Sequence, residues 1–305
     1  MPDSESTNAA GLGTVGFLGL GIMGSRMAAN IARAGFTLAV WTHTPGKAAA
    51  WAAEHGASAF STPSEVAARS DVVLSMVVDG AQVSSVLLGE DGVLDAARPG
   101  LLCVDMSTIG PVDARRVGAS LAERGVRMLD APVTGSSPRA EDGTLTIMVG
   151  GEREDFERVR PLLETVGALI AYVGELGHGQ MLKLINNSLG AANAAAVAEA
   201  LLLARATGLD LDAFVEVTSA GSGASTQLAL KAQPMREHDY TTLFKTAHML
   251  KDVRLCLQEA ESAGVPFPSA AHARDVLAAT MARGYAEQDY AALIEAAEGF
   301  AGRRL

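Results

Sequence analysis

The segment that most constrains the fold is "TVGFLGLGIMGSRMAANIARAG", residues 14–35. A short apolar run, "TVGFLG", reads as a strand. "IMGSRMAANIARAG" reads as a helix ending at Gly35. Between them, "GLGIMG" sets Gly19, Gly21 and Gly24 in G-x-G-x-x-G spacing. The spacing alone is weak evidence. A strand before it and a helix after it supply the context in which it marks a dinucleotide site. In that context Gly19 allows a tight turn, Gly21 lets the backbone approach a pyrophosphate, and Gly24 lets helix and strand pack closely. The helix N-terminus then offers N–H donors and positive potential to phosphate. The competing reading, a glycine turn with no ligand, lacks support from this context.

The rhythm continues. "TLAVWT" is a second strand and "GKAAAWAAEHG" a helix, while "DVVLSMV" and "LLCVDMS" are buried strands, each reached after another helix. Such alternation implies an α/β Rossmann-type, doubly wound parallel sheet covered on both faces. "VRMLDAP" and "TLTIMVGG" extend the sheet. Beyond about residue 177 the strand signal stops. Helices are expected at about 178–207, 210–220, 245–263, 269–283 and 289–299, with breaks at Gly208, "SAGSGAS" and "GVPFP". The expected organisation is a frayed tail over 1–13, a dinucleotide-binding domain over 14–176, and an all-α helical domain over 177–305 that begins with a long interdomain helix.

Bulk composition narrows the function. The 305 residues carry 24 Lys and Arg against 35 Asp and Glu, a net charge of −11, which argues against nucleic acid as a partner. The two cysteines, Cys103 and Cys256, stand in apolar contexts without metal-ligand spacing and read as buried thiols in a reducing cytosol. "MPDSESTNAAGL" lacks the basic start and apolar core of a signal peptide. The most apolar helix, near 184–206, is interrupted by Asn186, Asn187, Asn193 and Glu199, so it is not read as a membrane span. A cytoplasmic protein with no membrane partner is expected.

The end of the second strand commonly sets cofactor choice. An acidic residue there binds the ribose 2′-hydroxyl of NAD, and an arginine accommodates the 2′-phosphate of NADP. Here it reads Trp41, Thr42, His43, Thr44, with Lys47 one turn on. No carboxylate repels a 2′-phosphate, Thr42 and Thr44 offer hydroxyls, and His43 offers charge or stacking. NADP is favoured, with NAD as the alternative.

The Ala/Leu-rich helix opens on "GQMLKLINNSLG", residues 179–190. Lys183 and Asn187, four apart, share a helix face, and Asn186 borders it. Gly190, Ala191 and Ala194 continue down that face and leave room for a ligand or a closely packed helix. A buried lysine is costly to keep charged, so its pKa tends to fall, which suits an acid/base near neutral pH. Spacing alone favours the plainer reading, a snorkelling lysine with asparagines that cap or bridge helices.

Five motifs together resemble the β-hydroxyacid dehydrogenases, the group of 3-hydroxyisobutyrate dehydrogenase and tartronate semialdehyde reductase. They are "GFLGLGIMGSRMAANIARAG", "VDMSTIGP", "LDAPVTGS", "GHGQMLKLINN" and "FKTAHMLKDVRL". The resemblance runs from Val15 to about Glu298. It implies that Lys183 is the catalytic acid/base and that Asn187 holds the substrate. It implies that Thr134 and Gly135, with nearby backbone N–H groups, bind a substrate carboxylate, with Ser107 also at the substrate. Gly19, Leu20, Gly21, Ile22, Met23 and Gly24 would bind the dinucleotide phosphates, and Thr42, His43 and Thr44 its ribose end. Met76 and Val77 would line the cofactor groove, Thr108 would lie by the nicotinamide, and Phe244 and Lys251 would reach the cofactor. No metal is required, and a homodimer or homotetramer through the helical domain is implied.

The chain departs from the family at several points. Thr134 stands where serine is common, and Ser136 and Ser137 where two glycines are common. Thr42-His43-Thr44 replaces a common Asn-Arg-Thr, and Arg26 replaces a common proline. The expected function is a reversible NAD(P)-dependent conversion between a small β-hydroxyacid and its semialdehyde. The alternatives are an imine reductase, whose members generally lack the lysine, and a non-catalytic NAD(P)-binding module.

Overall fold

Strands buried on both faces organise the N-terminal part of the computed structural model, which describes residues 11–305. Val72, Leu74, Leu102 and Val104 belong to one buried cluster, whereas Val73, Cys103 and Leu18 belong to another. Successive side chains of a strand point to opposite faces, so both faces of this sheet are buried. Helices supply the covering: Met27, Ile31, Trp51, Phe156 and Val159 on one face, and Val83, Leu87, Val117 and Leu121 on the other.

The strands are β1 (Val15–Leu18), β2 (Leu38–Trp41), β3 (Ser58–Ala59), β4 (Val72–Ser75), β5 (Leu102–Asp105), β6 (Arg127–Asp130), β7 (Val133–Thr134), β8 (Leu145–Gly150) and β9 (Gly167–Gly174). Their order is β3-β2-β1-β4-β5-β6-β8-β7, with β9 paired to β8. Helices α1 (Ile22–Arg33), α2 (Lys47–His55), α3 (Pro63–Ala67), α4 (Gly80–Leu88), α5 (Val93–Ala96), α6 (Pro111–Ala122), α7 (Ser136–Asp142) and α8 (Arg153–Leu163) connect them. The winding reverses between β1 and β4, the switch point beside which open α/β sheets bind ligands. The doubly wound expectation stands, with one correction. β8 pairs antiparallel with both β6 and β7, so the sheet is parallel from β3 to β6 and mixed beyond. The short β3 and β7 and the long β9 lay outside the expected strand set.

By backbone contacts the chain divides into Met1–Lys183 and Leu184–Leu305. The division falls inside helix α9 (His178–Ala206). Of the expected frayed tail, residues 1–10 lie outside the described residues, while Leu12 is buried in the core.

The second unit is helical. α10 (Leu211–Ala220), α11 (Thr226–Glu237), α12 (Thr246–Ser262), α13 (Pro268–Ala282), a 3-10 turn at Tyr290–Ala292 and α14 (Leu293–Ala301) follow α9. α9 has the length and composition of a membrane-crossing helix, with mean hydropathy 1.3. Its Ala191, Ala194, Ala198 and Leu201 lie in the unit's core with Leu228, Met249, Val253, Val276 and Leu293. Expectation missed α11. Ser225 caps it by accepting from Leu228 N–H at 3.0 Å, but Lys231 and Pro234 break the apolar pattern inside it. Lys231 is nevertheless buried and reaches Asp289 at 2.6 Å.

Candidate active site

The glycine turn has the shape a pyrophosphate needs. Gly19 sits at φ +101°, and a Cβ there would lie 2.3 Å from the Met76 carbonyl oxygen. A Cβ on Gly24 would lie 1.9 Å from the Gly19 carbonyl oxygen, so α1 packs on the turn backbone to backbone. Gly21 is different. It is the N-cap of the twelve-residue α1 with no side-chain cap, and a Cβ there would meet nothing within 4 Å. Open space in front of uncapped helical N–H groups is what an anion at a helix N-terminus occupies. Ile22 faces out at 64% exposure and Met23 is half-buried, but the Leu20 side chain is fully buried. Leu20 therefore has only its backbone to offer a ligand.

At the end of β2, Thr42 is buried while His43, Thr44 and Lys47 are exposed. No acidic side chain lies between Trp41 and Lys47. Trp41 donates its indole N–H to the Ser61 carbonyl at 3.0 Å, which fixes the strand end.

Behind the ends of β4, β5 and β6 lies a buried polar network. Asp105 and Asp130 face each other across β5 and β6, and both are fully buried. Asp105 accepts from the Ser75 hydroxyl at 2.8 Å and from Ser107 N–H at 3.2 Å. Its carboxyl is pushed up to about 6, chiefly by burial, against the pull of hydrogen bonds from Ser107 and Ser75. Ser107 was expected at the substrate. Its side chain is fully buried, and its hydroxyl accepts from Val77 N–H at 2.9 Å. It joins the β4 and β5 loops. Thr108 is half-buried in the same loop, and the N-cap of α6 is Gly110.

Asp130 holds the start of α9. Its two oxygens accept from Gly177 N–H at 2.7 Å and Gln180 N–H at 2.6 Å, satisfying donors that a helix start leaves unpaired. Burial raises its carboxyl, and these bonds oppose the rise. A Cβ on Gly179 would lie 2.4 Å from the Met148 carbonyl oxygen, so the helix start also packs directly on the sheet backbone. The Gln180 side chain bridges to the β5 loop: it donates to the Ser107 carbonyl at 2.8 Å and accepts from Ile109 N–H at 3.0 Å. Sequence reading missed Asp105, Asp130 and Gln180, although each lies inside a quoted motif.

One turn along α9, Lys183 is 6% exposed, and Asn187 is likewise 6% exposed, whereas Leu182 and Leu189 face out. The polar pair therefore lies on the buried face: the lysine does not snorkel, while Asn187 bridges two helices as the plainer reading expected. Within the second unit, Asn187 donates to Asp252 at 2.7 Å, and Lys251 pairs with the same carboxylate at 2.9 Å. Asp252 was not singled out from sequence. Phe244 packs edge-on to His248 and Tyr290. His248 is held below its ordinary value by burial first, then by Lys251 and Lys245.

Thr134 and Gly135 lie where β7 meets α7. Gly135 has φ +135° and the next residue, Ser136, φ +57°, a region L-residues seldom adopt. Ser136 thus holds a backbone shape that glycine adopts freely, while its side chain adds a hydroxyl. The described residues contain one group with metal-ligand geometry, His238, Glu295 and Glu298. It is already internally paired: His238 to Glu298 at 2.9 Å, and the Tyr240 hydroxyl to Glu295 at 2.7 Å.

Two family models match the chain. Residues 14–174 match the NAD binding domain of 6-phosphogluconate dehydrogenase, and residues 177–297 match the NAD-binding domain of NADP-dependent 3-hydroxyisobutyrate dehydrogenase. The chain is 39% identical to 2-hydroxy-3-oxopropionate reductase of Escherichia coli K12, over 95% of this chain and 99% of the relative. It is 35% identical to NAD-dependent L-serine dehydrogenase of Pseudomonas aeruginosa, over 90% of this chain and 95% of the relative. A solved structure of Mycobacterium tuberculosis 3-hydroxyisobutyrate dehydrogenase with L-serine superposes with a TM-score of 0.86 at 35% identity, covering 93% of this chain and 98% of that one.

Proposed function

The chain belongs to the β-hydroxyacid dehydrogenase family, and from that premise we propose that Lys183 is its general acid/base and a small β-hydroxyacid or its semialdehyde its substrate. It is an NAD(P)-dependent oxidoreductase that acts on CH–OH groups. The observation that carries the proposal is the burial of Lys183 on a helix whose first turn is tied to the β5 and β6 ends.

When bound, the nicotinamide dinucleotide supplies or accepts the hydride. Lys183 gives a proton to the carbonyl oxygen in reduction and takes the hydroxyl proton in oxidation. The Thr134 hydroxyl and the turn at Gly135 hold the substrate carboxylate, since successive N–H groups at such a turn suit an anion. Asn187 holds a second substrate oxygen. The Gly19–Gly24 turn receives the pyrophosphate, Met76 and Val77 line the cofactor groove, Thr108 lies by the nicotinamide, and Phe244 and Lys251 complete the cofactor contacts. NADP is the preferred form: exposed His43, Thr44 and Lys47 stand without a carboxylate at the β2 end. The family description naming an NADP-dependent enzyme supports this, while one relative is named as NAD-dependent.

We place the protein in the cytoplasm, where its two buried free thiols suit a reducing compartment. We also assign it a homodimeric or homotetrameric state through the helical unit. No residue of α10 is buried, Leu203, Val217 and Phe300 are 66–70% exposed, and an open apolar hollow of about 420 Å³ lies beside Leu203 and Phe300. Such exposure marks interaction surfaces.

The test is a panel of small carboxylate-bearing β-hydroxyacids, semialdehydes and cyclic imines, each offered with NADPH and NADH at equal low concentration. Turnover of a semialdehyde with preference for NADPH is expected. Turnover of imines alone would overturn the substrate class, and a clear NADH preference would overturn the cofactor assignment.

A further inference from the structure

The fully buried amide of Gln180 carries an inference beyond the residues that touch substrate or cofactor. It makes two directional bonds to one loop, donating to Ser107 C=O at 2.8 Å and accepting from Ile109 N–H at 3.0 Å, on either side of Thr108. Its own backbone N–H is held by Asp130 at 2.6 Å. Ser107, in turn, ties that loop to Asp105 and to Val77. Gln180 stands three residues before Lys183, so the two are neighbours on the helix surface. Only a side chain with one donor and one acceptor can satisfy both loop groups at once.

We propose that Gln180 is a positioning residue for hydride transfer: by clamping the peptides that flank Thr108 to the first turn of α9, it sets the register of Lys183 against the loop on the nicotinamide side. The inference rests on the acid/base assignment of Lys183. Catalysis is sensitive to such registers, because a displacement of about 1 Å costs on the order of 100-fold in rate.

Two substitutions separate register from mere support. Gln180→Met keeps the length and loses both bonds. Gln180→Glu keeps the acceptor for Ile109 N–H and, only when its carboxyl is protonated, regains the donor to Ser107 C=O. The charged or titratable groups around it are Asp105 and Asp130 at the strand ends, with His178 and Lys183 on its own helix. The two buried carboxyls favour the protonated form of the new acid. Turnover is measured against pH at saturating substrate and cofactor, cofactor affinity is measured by fluorescence, and Lys183→Ala serves as the reference.

Gln180→Met is expected to lose about 10- to 100-fold in kcat with cofactor affinity within a few-fold of the parent. Gln180→Glu is expected to recover kcat as pH falls, where Gln180→Met does not. The inference is overturned if Gln180→Met turns over within twofold of the parent, or if the two variants lose turnover and cofactor affinity together with coincident pH profiles. Should Lys183→Ala itself keep parental turnover, the acid/base assignment fails; an inactive Lys183→Ala beside a fully active Gln180→Met sinks only the positioning role.

Discussion

Gly21 and Gly24 stand three residues apart in one motif yet answer to different forces. A methyl at Gly24 would meet the Gly19 backbone at 1.9 Å, whereas a methyl at Gly21 would enter open space. Gly24→Ala therefore forces a backbone shift, and overpacking of this kind costs about 1–3 kcal/mol. Gly21→Ala is expected to leave the fold intact and to fill the place proposed for phosphate. The expected outcome is a lowered melting temperature for Gly24→Ala alone, and a cofactor dissociation constant raised at least about tenfold for both. Thermal unfolding and fluorescence titration read the two effects, and parental cofactor affinity in Gly21→Ala would contradict the placement of the pyrophosphate.

Among elements, the ends of β4, β5 and β6 meet at Asp105, whose carboxyl is raised from 3.8 to about 6 by burial. An unfolded chain releases this proton near pH 4 and the folded chain near pH 6. Between those values the folded state binds more protons, so stability falls as pH rises through the window and the loss is complete above it. Asp105→Asn keeps an acceptor for Ser75 and Ser107 and removes the titration. From about pH 5 to pH 7.5 the parent should lose ~1 kcal/mol more stability than the variant. Urea unfolding at the two pH values measures this, and an identical pH dependence in both proteins would contradict it. The same elements show what sequence could reveal. Strands written as short, continuously buried apolar runs and helices closed by Gly56 or opened by Pro111 announced themselves locally. β9 stayed hidden because much of it is only partly buried, and α11 because its buried polar residue, Lys231, finds its partner 58 residues away. That Lys183 and Asn187 share one helix face was legible from their spacing, and their proposed roles came from the resemblance. Asp105, Asp130 and Gln180 were not legible, because what defines them is partners 30 to 73 residues distant.

At the scale of the whole molecule, each unit has its own core, and catalytic expectation falls on the helix in which they divide. The exposed apolar side chains of the helical unit predict self-association, so light scattering should report a dimer or tetramer; a monomer at micromolar concentration would refute this. The central claim concerns one buried amine. The most direct measurement is single-turnover reduction of a turned-over semialdehyde by Lys183→Ala, alongside its cofactor affinity. The account predicts at least about a 100-fold loss of rate with the dinucleotide still bound at near-parental affinity. Parental rate in that variant would contradict it.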